Sequence, residues 1–515
     1  MAGQGKRFDL NLSAVLPQSP AASSRMAHLL SKSTYVQGLQ CQKLLWFRYN
    51  AKDQLQQPGT LAQAIFDQGH EVGDWAKRRF PAGREISAGI KDFDAVFAET
   101  QRQLGLRVPL LEPAFRAAGG YARLDILNPV DDDAWDIIEV KSSTSVKDVY
   151  LEDVAFQAHV CTAAGLTIRR CHVLHINSKY VRQGEIDPQA LFTQVDVTRK
   201  VSALSVEIED RISAFARVIG AAEHPVVSIG PHCNSPYECP LTHACWSFLP
   251  EHNVTTLYRG TKKAFQLIAQ GINAITDIPA TAKLSKVQQI QKSAILANQA
   301  QTDPAQIRGF LGRLQYPLHY LDFETMGSAV PLFDGSRPFE QIPFQFSLHV
   351  VRQPGAEPEH HSFLAEGRSD PRPGFMAALV ERIGPAGTIL AYNAGFERGV
   401  LSGCAERLPQ HAGWLNSLPP RIVDLLEPFR KFHCYHPAQH GSASIKAVLP
   451  AFTGKDYSGL AIGEGGTASL EFVRVTFSDV STEERDRVRR HLEEYCQLDT
   501  LAMVWLVARL QGMAR

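Results

Sequence analysis

Two apolar segments end in charged side chains at alternate positions, and this pattern constrains the chain more than any other feature. Trp135-Asp-Ile-Ile-Glu139-Val-Lys141 and Leu318-His-Tyr-Leu-Asp322-Phe-Glu324 both have the composition of strands. Because successive strand residues face opposite ways, Glu139 and Lys141 share one side, and so do Asp322 and Glu324, with Phe323 sent into the opposite layer. Further strand patterns fall at 171–176, 343–351 and 360–364, with helical patterns between them. The fold class expected is therefore α/β. At 515 residues the chain exceeds what one core holds, so it is multidomain.

Four stretches are distinguished. Residues 1–30 are rich in Ser, Ala and Pro and are expected to be poorly ordered; 31–250 form a first α/β unit. Residues 251–312 lack strand signals and carry helix patterns at 264–269 and 287–297, a helical connector. Residues 313–515 form a second α/β unit.

Lys plus Arg (53) equals Asp plus Glu (53), so a nucleic-acid site has to be a local groove rather than a consequence of net charge. No apolar run approaches the roughly 18 residues of a membrane span, and residues 1–20 lack a basic-then-apolar signal. The expectation is a cytoplasmic protein without membrane contact. Nine cysteines, an odd number, then point to reduced thiols rather than a disulfide framework. No Gly-rich loop followed by Lys-Ser or Lys-Thr is present, which argues against an ATP-driven motor.

Asp125, in Tyr121-Ala-Arg-Leu-Asp125-Ile-Leu, ends a strand just before the strand bearing Glu139 and Lys141. Two carboxylates and one ammonium suit phosphodiester hydrolysis: the acids hold Mg2+ or Mn2+, and the lysine orients water or offsets growing charge. The plain alternative is a hairpin with a surface ion pair. These residues resemble the PD-(D/E)XK nuclease superfamily, with Asp125 as first acid and Glu139-Val-Lys141 as second acid and lysine. Glu152-Asp-Val-Ala-Phe-Gln157 resembles the helix carrying the substrate-contacting glutamine of the RecB-like branch, although Cys161 stands where a tyrosine is frequent. Gly69-His70-Glu71 resembles its first helix, which implies Glu71 as a further metal ligand; a solvated helix face is the alternative for His70 and Glu71.

Cys233, Cys239 and Cys245 are evenly spaced in a turn-rich segment with Pro236 and Pro240, and thiolates suit zinc or iron-sulfur ligation. Cys41, in Ser31-Lys-Ser-Thr-Tyr-Val-Gln-Gly-Leu-Gln-Cys41, lies in a segment that resembles the opening helix of RecB-like nucleases with an iron-sulfur cluster. That resemblance implies a four-iron four-sulfur site on Cys41, Cys233, Cys239 and Cys245. Zinc held by three cysteines with His232 or His243 is the rival. Cys161, Cys171, Cys404, Cys434 and Cys496 sit in apolar patterns and are assigned to core packing.

In the second unit, Thr388-Ile-Leu-Ala-Tyr-Asn393-Ala-Gly-Phe-Glu397 reads as strand, tight turn and helix start, and Tyr495 and Asp499 lie one helical turn apart. Asp322, Glu324, Glu397 and Asp499 are then able to surround two cations, with Tyr495 orienting water. A helix face without chemistry is the alternative for Tyr495 and Asp499. In order and context the motifs resemble the DEDD exonucleases of the RNase H-like fold, tyrosine variety, except that Glu397 replaces the usual Asp. Asn393 is a candidate substrate contact, and Asp424 and 442–446 resemble intervening elements of that family.

The whole chain resembles bacterial proteins that join a RecB-like nuclease domain to an RNase H-like domain. The resemblance implies a metal-dependent nuclease acting on nucleic acid, DNA first, with 3′–5′ exonuclease action at the second site and a separate helicase as a candidate partner. A non-catalytic nucleic-acid clamp and a zinc-stabilised scaffold are the alternatives. Residues 267–279 around Gly271, with Lys262, Lys263, Lys283, Lys286 and Lys292 nearby, are a candidate helix-hairpin-helix contact to phosphates or an ordinary linker.

Overall fold

A computed structural model describes residues 29–87 and 92–515. The expectation of poor order for 1–30 falls, up to residue 28, outside the described residues. Two helices open the first unit, α1 (Lys32–Gln40) and α2 (Gln42–Asn50), followed by α3 (Thr60–Lys77). Ser31 starts α1 with a capping box: its Oγ accepts from the Thr34 backbone N–H at 3.2 Å, and Thr34 Oγ1 accepts from the Ser31 N–H at 2.8 Å. Cys41, in extended backbone, breaks α1 from α2.

A six-stranded mixed sheet forms the frame of this unit. Its strands, in spatial order, are β1 (Arg84–Glu85), β2 (Leu110–Leu111), β3 (Ile126–Val130), β4 (Ala134–Lys141), β5 (Thr167–Ile176) and β6 (Phe192–Asp196). β3 and β4 are an antiparallel hairpin, whereas β4 and β5 are parallel and joined by the crossover helix α4 (Asp148–Ala163). Trp135 and Ile137 of β4 pack with α4 residues such as Val154 and Phe156, while Ile138 joins Val72 and Ala76 of α3 on the other side. Glu139 and Lys141, in phase with Trp135 and Ile137, therefore face α4.

The strand expected to end at Asp125 stops at Arg123, and a second strand not anticipated there follows at once. Gly120–Arg123 belongs to a small three-stranded sheet with Leu30–Ser31 and Ala114–Ala117, and β3 starts at Ile126. Asp125 lies at the break, and its side-chain oxygen accepts from the Val140 N–H at 2.6 Å.

The second unit is a five-stranded sheet made of β7 (Leu318–Met326), β8 (Ile342–Val351), β9 (Glu359–Leu364), β10 (Thr388–Ala391) and β11 (Ile422–Asp424), in the order β9-β8-β7-β10-β11. β7, β8 and β9 are antiparallel neighbours; β10 and β11 add in parallel. Helix α5 (Gly395–Arg407) follows β10, and α6 (Ile445–Thr453), α7 (Gly465–Phe477) and the long α8 (Thr482–Met513) close the chain. Leu318 and Tyr320 pack with Ala502, Met503 and Leu506 of α8, whereas Leu321 and Phe323 pack with Phe375 on the opposite face. Asp322 and Glu324 thus point toward α8.

Two expectations for the connector are corrected. Gln301–Thr302 forms a short strand with Cys434–Tyr435, too brief to leave a periodic signal. Around Gly271 there is one α-helix, Thr261–Ile268, but the next element is a single 3-10 turn, Ile275–Asp277, because Pro279 disfavours helical backbone just before it. Lys292 donates to the Ile278 carbonyl, so that lysine is engaged internally. The connector packs on the second unit through Ile307 and Phe310.

Contacts also join the two units. Arg182 donates to the carbonyls of Pro331 and Leu332 at 3.0 and 2.8 Å, the Gly184 N–H donates to Asp334 at 3.0 Å, and Ala329 and Val330 share an apolar cluster with Val72 and Ala76. No helix among the described residues is long and apolar enough to cross a membrane.

Candidate functional site

Three clusters of chemistry-bearing side chains are assembled. In the first unit, Glu139 is 1% exposed and is held from several directions. Lys141 Nζ donates to its Oε1 at 2.6 Å, Gln157 Nε2 to its Oε2 at 2.8 Å, and Lys32 Nζ to both oxygens at 3.0 and 3.2 Å. Lys141 also donates to Asp153 at 2.7 Å. Asp125 lies 3.8 Å from Lys32. The structure thus brings together Asp125, Glu139, Lys141 and Gln157 and adds Lys32 and Asp153, which sequence reading missed. Asp153 and Gln157, one turn apart on α4, carried a signal in their spacing; Lys32, far along the chain, carried none.

Glu71 is not drawn in: its side chain is exposed on α3, and among the described residues neither Asp125 nor Glu139 bonds to it. Its neighbour Val72 takes the buried position facing β4.

Electrostatics divide the two acids. Burial opposes the charge of Glu139, yet Lys141 and Lys32 outweigh it and hold the carboxyl below the usual range. Burial and then the Glu139 charge push Asp125 up to about 7. Chemically the pair fits a hard divalent cation, since buried Glu139 and part-buried Asp125 are both hard oxygen donors.

The second unit holds a cavity of about 540 Å³ lined by Asp322, Glu324, Asn393, Glu397, Tyr495 and Asp499 among others. β7 supplies Asp322 and Glu324, α5 supplies Glu397, and α8 supplies Tyr495 and Asp499. Asn393 has φ 73°, a left-handed turn that asparagine tolerates, and its N–H donates to Asp424 at 3.0 Å; this turn aims the start of α5 at the cavity. At Gly465, where α7 starts, an added Cβ would lie 3.2 Å from Glu324, so the helix approaches this acid closely.

Negative charge is in surplus here. Burial pushes Glu324 and Glu397 each to about 8 and Asp499 to about 6, and burial reinforced by Asp499, Glu324 and Glu397 drives Asp322 well up. Lys446 opposes this at Glu324 and Asp499 from above the rings of Tyr457 and Tyr495, and Arg398 does so at Glu397. Glu397 Oε2 is buried without a hydrogen-bond partner. An orphaned buried carboxylate oxygen beside three other acids fits divalent cations.

Two residues here were misread or missed. Cys496, assigned to core packing, is buried but its Sγ lies 3.8 Å from Asp322, and one ligand atom each from Asp322, Glu324 and Cys496 fall within 4.8 Å of one another. Tyr457, unmarked in sequence, donates to Asp499 Oδ1 at 2.6 Å.

These raised carboxyls make the stability of the metal-free protein depend on pH. A carboxyl whose folded pKa is raised favours folding only while protonated, so stability falls as pH climbs between its ordinary and raised values. The window that isolates the carboxyls is pH 7.5 to 8, because a histidine at the reference pKa of about 6.5 is mostly neutral only above about pH 7.5. In chelator, Glu324 and Glu397 should therefore lower stability with rising pH, each by at most about 1.4 kcal/mol per pH unit. Thermal melts with and without saturating Mn2+ check this; the expected slope is negative in chelator and flatter with the ion.

The third cluster joins Cys41, Cys233, Cys239 and Cys245 around a cavity of about 10 Å³, with His232 beside them; all four thiols are free. Burial raises the Cys41 thiol and takes Cys239 to about 11, with the other cysteines of the cluster adding to each shift. Among the described residues no three of these ligand atoms lie within 4.8 Å of one another. Four thiols with His232 alongside are a donor set that suits an iron-sulfur cluster or zinc. Cys161, Cys171, Cys404 and Cys434 are buried, as expected for core positions.

Residues 319–444 match a family model described as a domain of unknown function (DUF2779). The match spans β7 to the edge of α6 and includes Asp322, Glu324 and Glu397, but not Asp499. No curated protein matches the chain.

Proposed function

We propose that the protein is a divalent-metal-dependent nuclease with two hydrolytic sites, acting first on DNA. The first unit is read as a RecB-like PD-(D/E)XK domain and the second as an RNase H-like DEDD-type domain. The observation that carries the reading is the gathering of Asp322, Glu324, Glu397 and Asp499, from three separate elements, around one cavity.

In the second site these carboxylates are the ligands of Mg2+ or Mn2+, which when bound supply charge stabilisation to the attacking and leaving oxygens. Tyr495 lines the cavity and positions water, and Lys446 offsets negative charge at the mouth. Asn393 contacts the substrate end. In the first site Asp125 and Glu139 are the ligands, Lys141 orients water, and Gln157 fixes Glu139. Lys141 and Lys147 flank Tyr150, a local basic and aromatic surface suited to a nucleic-acid strand in a chain of zero net charge. The thiol cluster is structural, tying α2 to the segment after Gly230.

A second reading has its own support. Tyr457 already occupies Asp499 Oδ1, which favours a C-terminal site that binds an end without cutting it.

End-labelled single- and double-stranded DNA and RNA, incubated with Mg2+ or Mn2+, tests the proposal. Cleavage is expected, with different products lost in Lys141→Ala and Asp322→Ala. No cleavage under either ion would refute the enzyme reading, and retention of end-binding alone would favour the clamp. Anaerobically purified protein is expected to carry iron and sulfide that Cys239→Ser loses; zinc in their place would assign the rival centre.

A further inference from the structure

Lys32 is the least expected member of the first site. It opens α1, directly after the Ser31 cap, and its ammonium lies 3.0 and 3.2 Å from the two Glu139 oxygens and 3.8 Å from Asp125 Oδ1. It therefore sits between the two carboxylates. Lys141 differs: it meets Glu139 through one oxygen and is anchored on its other side by Asp153 at 2.7 Å. Among the described residues Lys32 has no ion-pair partner besides Asp125 and Glu139.

A small divalent cation binds carboxylate oxygens at about 2.0–2.1 Å. Lys32 reaches both Glu139 oxygens and faces Asp125, so it fills the slot between the two acids that a shared cation needs, and two cations repel there; Lys141, held on one Glu139 oxygen and by Asp153, leaves that slot open. The charge count agrees. With Asp125, Glu139 and Asp153 ionised, Lys32 and Lys141 leave one negative charge; a divalent ion added without releasing Lys32 would leave one positive charge. The Lys32 side chain is 24% exposed, so it has a route outward, while the capping box fixes only its backbone.

We infer that Lys32 is a built-in counter-ion of the first site, which holds Asp125 and Glu139 in the metal-free protein and must swing out for a divalent cation to bind. The inference rests on reading those two acids as cation ligands. Lys32 thereby weakens metal binding by the fraction of time it spends in the slot and keeps the site closed at low metal concentration.

The test is a Mn2+ titration of the full chain, followed by the electron paramagnetic resonance of free Mn2+. An Asp322→Asn background silences the second site. Lys32→Gln is expected to bind Mn2+ roughly tenfold more tightly than the background protein, Lys32→Arg no more tightly, and Asp125→Asn to lose the ion. Without metal, Lys32→Gln should melt lower than the background protein, and saturating Mn2+ should close that gap. Lys32→Met, which keeps the apolar stem, repeats the measurement should the glutamine variant fold poorly. Unchanged or weaker binding in the neutral variants, with Asp125→Asn still losing the ion, would overturn this inference alone. Absence of Mn2+ from the background protein would overturn the cation-site reading as well.

Discussion

Asp322→Asn is expected to cut hydrolysis at the C-terminal cavity by roughly a thousandfold or more, while raising the melting temperature of the metal-free protein. The loss follows from position: Asp322 stands on β7 facing α8, where Asp499, Glu324 and Glu397 all act on it. Removing one carboxylate from a two-cation site removes charge stabilisation that no neighbour replaces. The gain in stability has the same cause. The four acids crowd together, three of them buried, so near neutral pH folding without metal requires some of them to take up protons, and Lys446 opposes this at two of them. A neutral amide of the same shape relieves that requirement, so a functional acid is also a strained one. Metal-free melting curves and product release from labelled DNA measure both effects. Lower stability together with intact cleavage would contradict the assignment.

Glu139→Gln is expected to behave in the opposite way. At this site positive and negative charges nearly balance, and Glu139 is the buried acid on which Lys32, Lys141 and Gln157 all converge. Its removal leaves two ammonium groups short of a partner, a loss of about 3 kcal/mol or more for a buried pair of this kind. Cleavage by the first site should vanish, and stability should fall rather than rise. Hydrogen exchange at the amides of Ala134–Lys141 localises the effect: faster exchange there, with the C-terminal sheet unchanged, is the expected outcome. Unchanged exchange would mean that the charge network contributes little.

The contrast between the sites shows how much of each was legible in the sequence. Pairs on one strand were readable because the period of two is fixed by backbone geometry, as Glu139 with Lys141 and Asp322 with Glu324 show. Tyr495 and Asp499 on α8 follow the helical period in the same way. Asp125 was readable as an acid near a strand end but not as the break between two sheets, because its apolar neighbours Leu124 and Ile126 continue the strand pattern across the break. Lys32, Tyr457 and the contact of Cys496 with Asp322 depend on pairings far apart in the chain, which leave no local trace. Cys496 shows the limit clearly: its apolar neighbours mark it as core, and it is buried, yet its sulfur meets an acid. Glu71 shows the reverse: a family resemblance implied a metal ligand, whereas in the structure Glu71 is exposed, as on a solvated helix face, and the buried position belongs to Val72.

Crystals grown without metal and soaked in Mn2+ provide the most direct measurement, through anomalous scattering at the manganese edge. The account predicts peaks among Asp322, Glu324 and Asp499 and a separate peak between Asp125 and Glu139, the latter with the Lys32 side chain displaced. Soaked crystals with neither peak would contradict it, leaving two α/β units whose buried acids serve no cation.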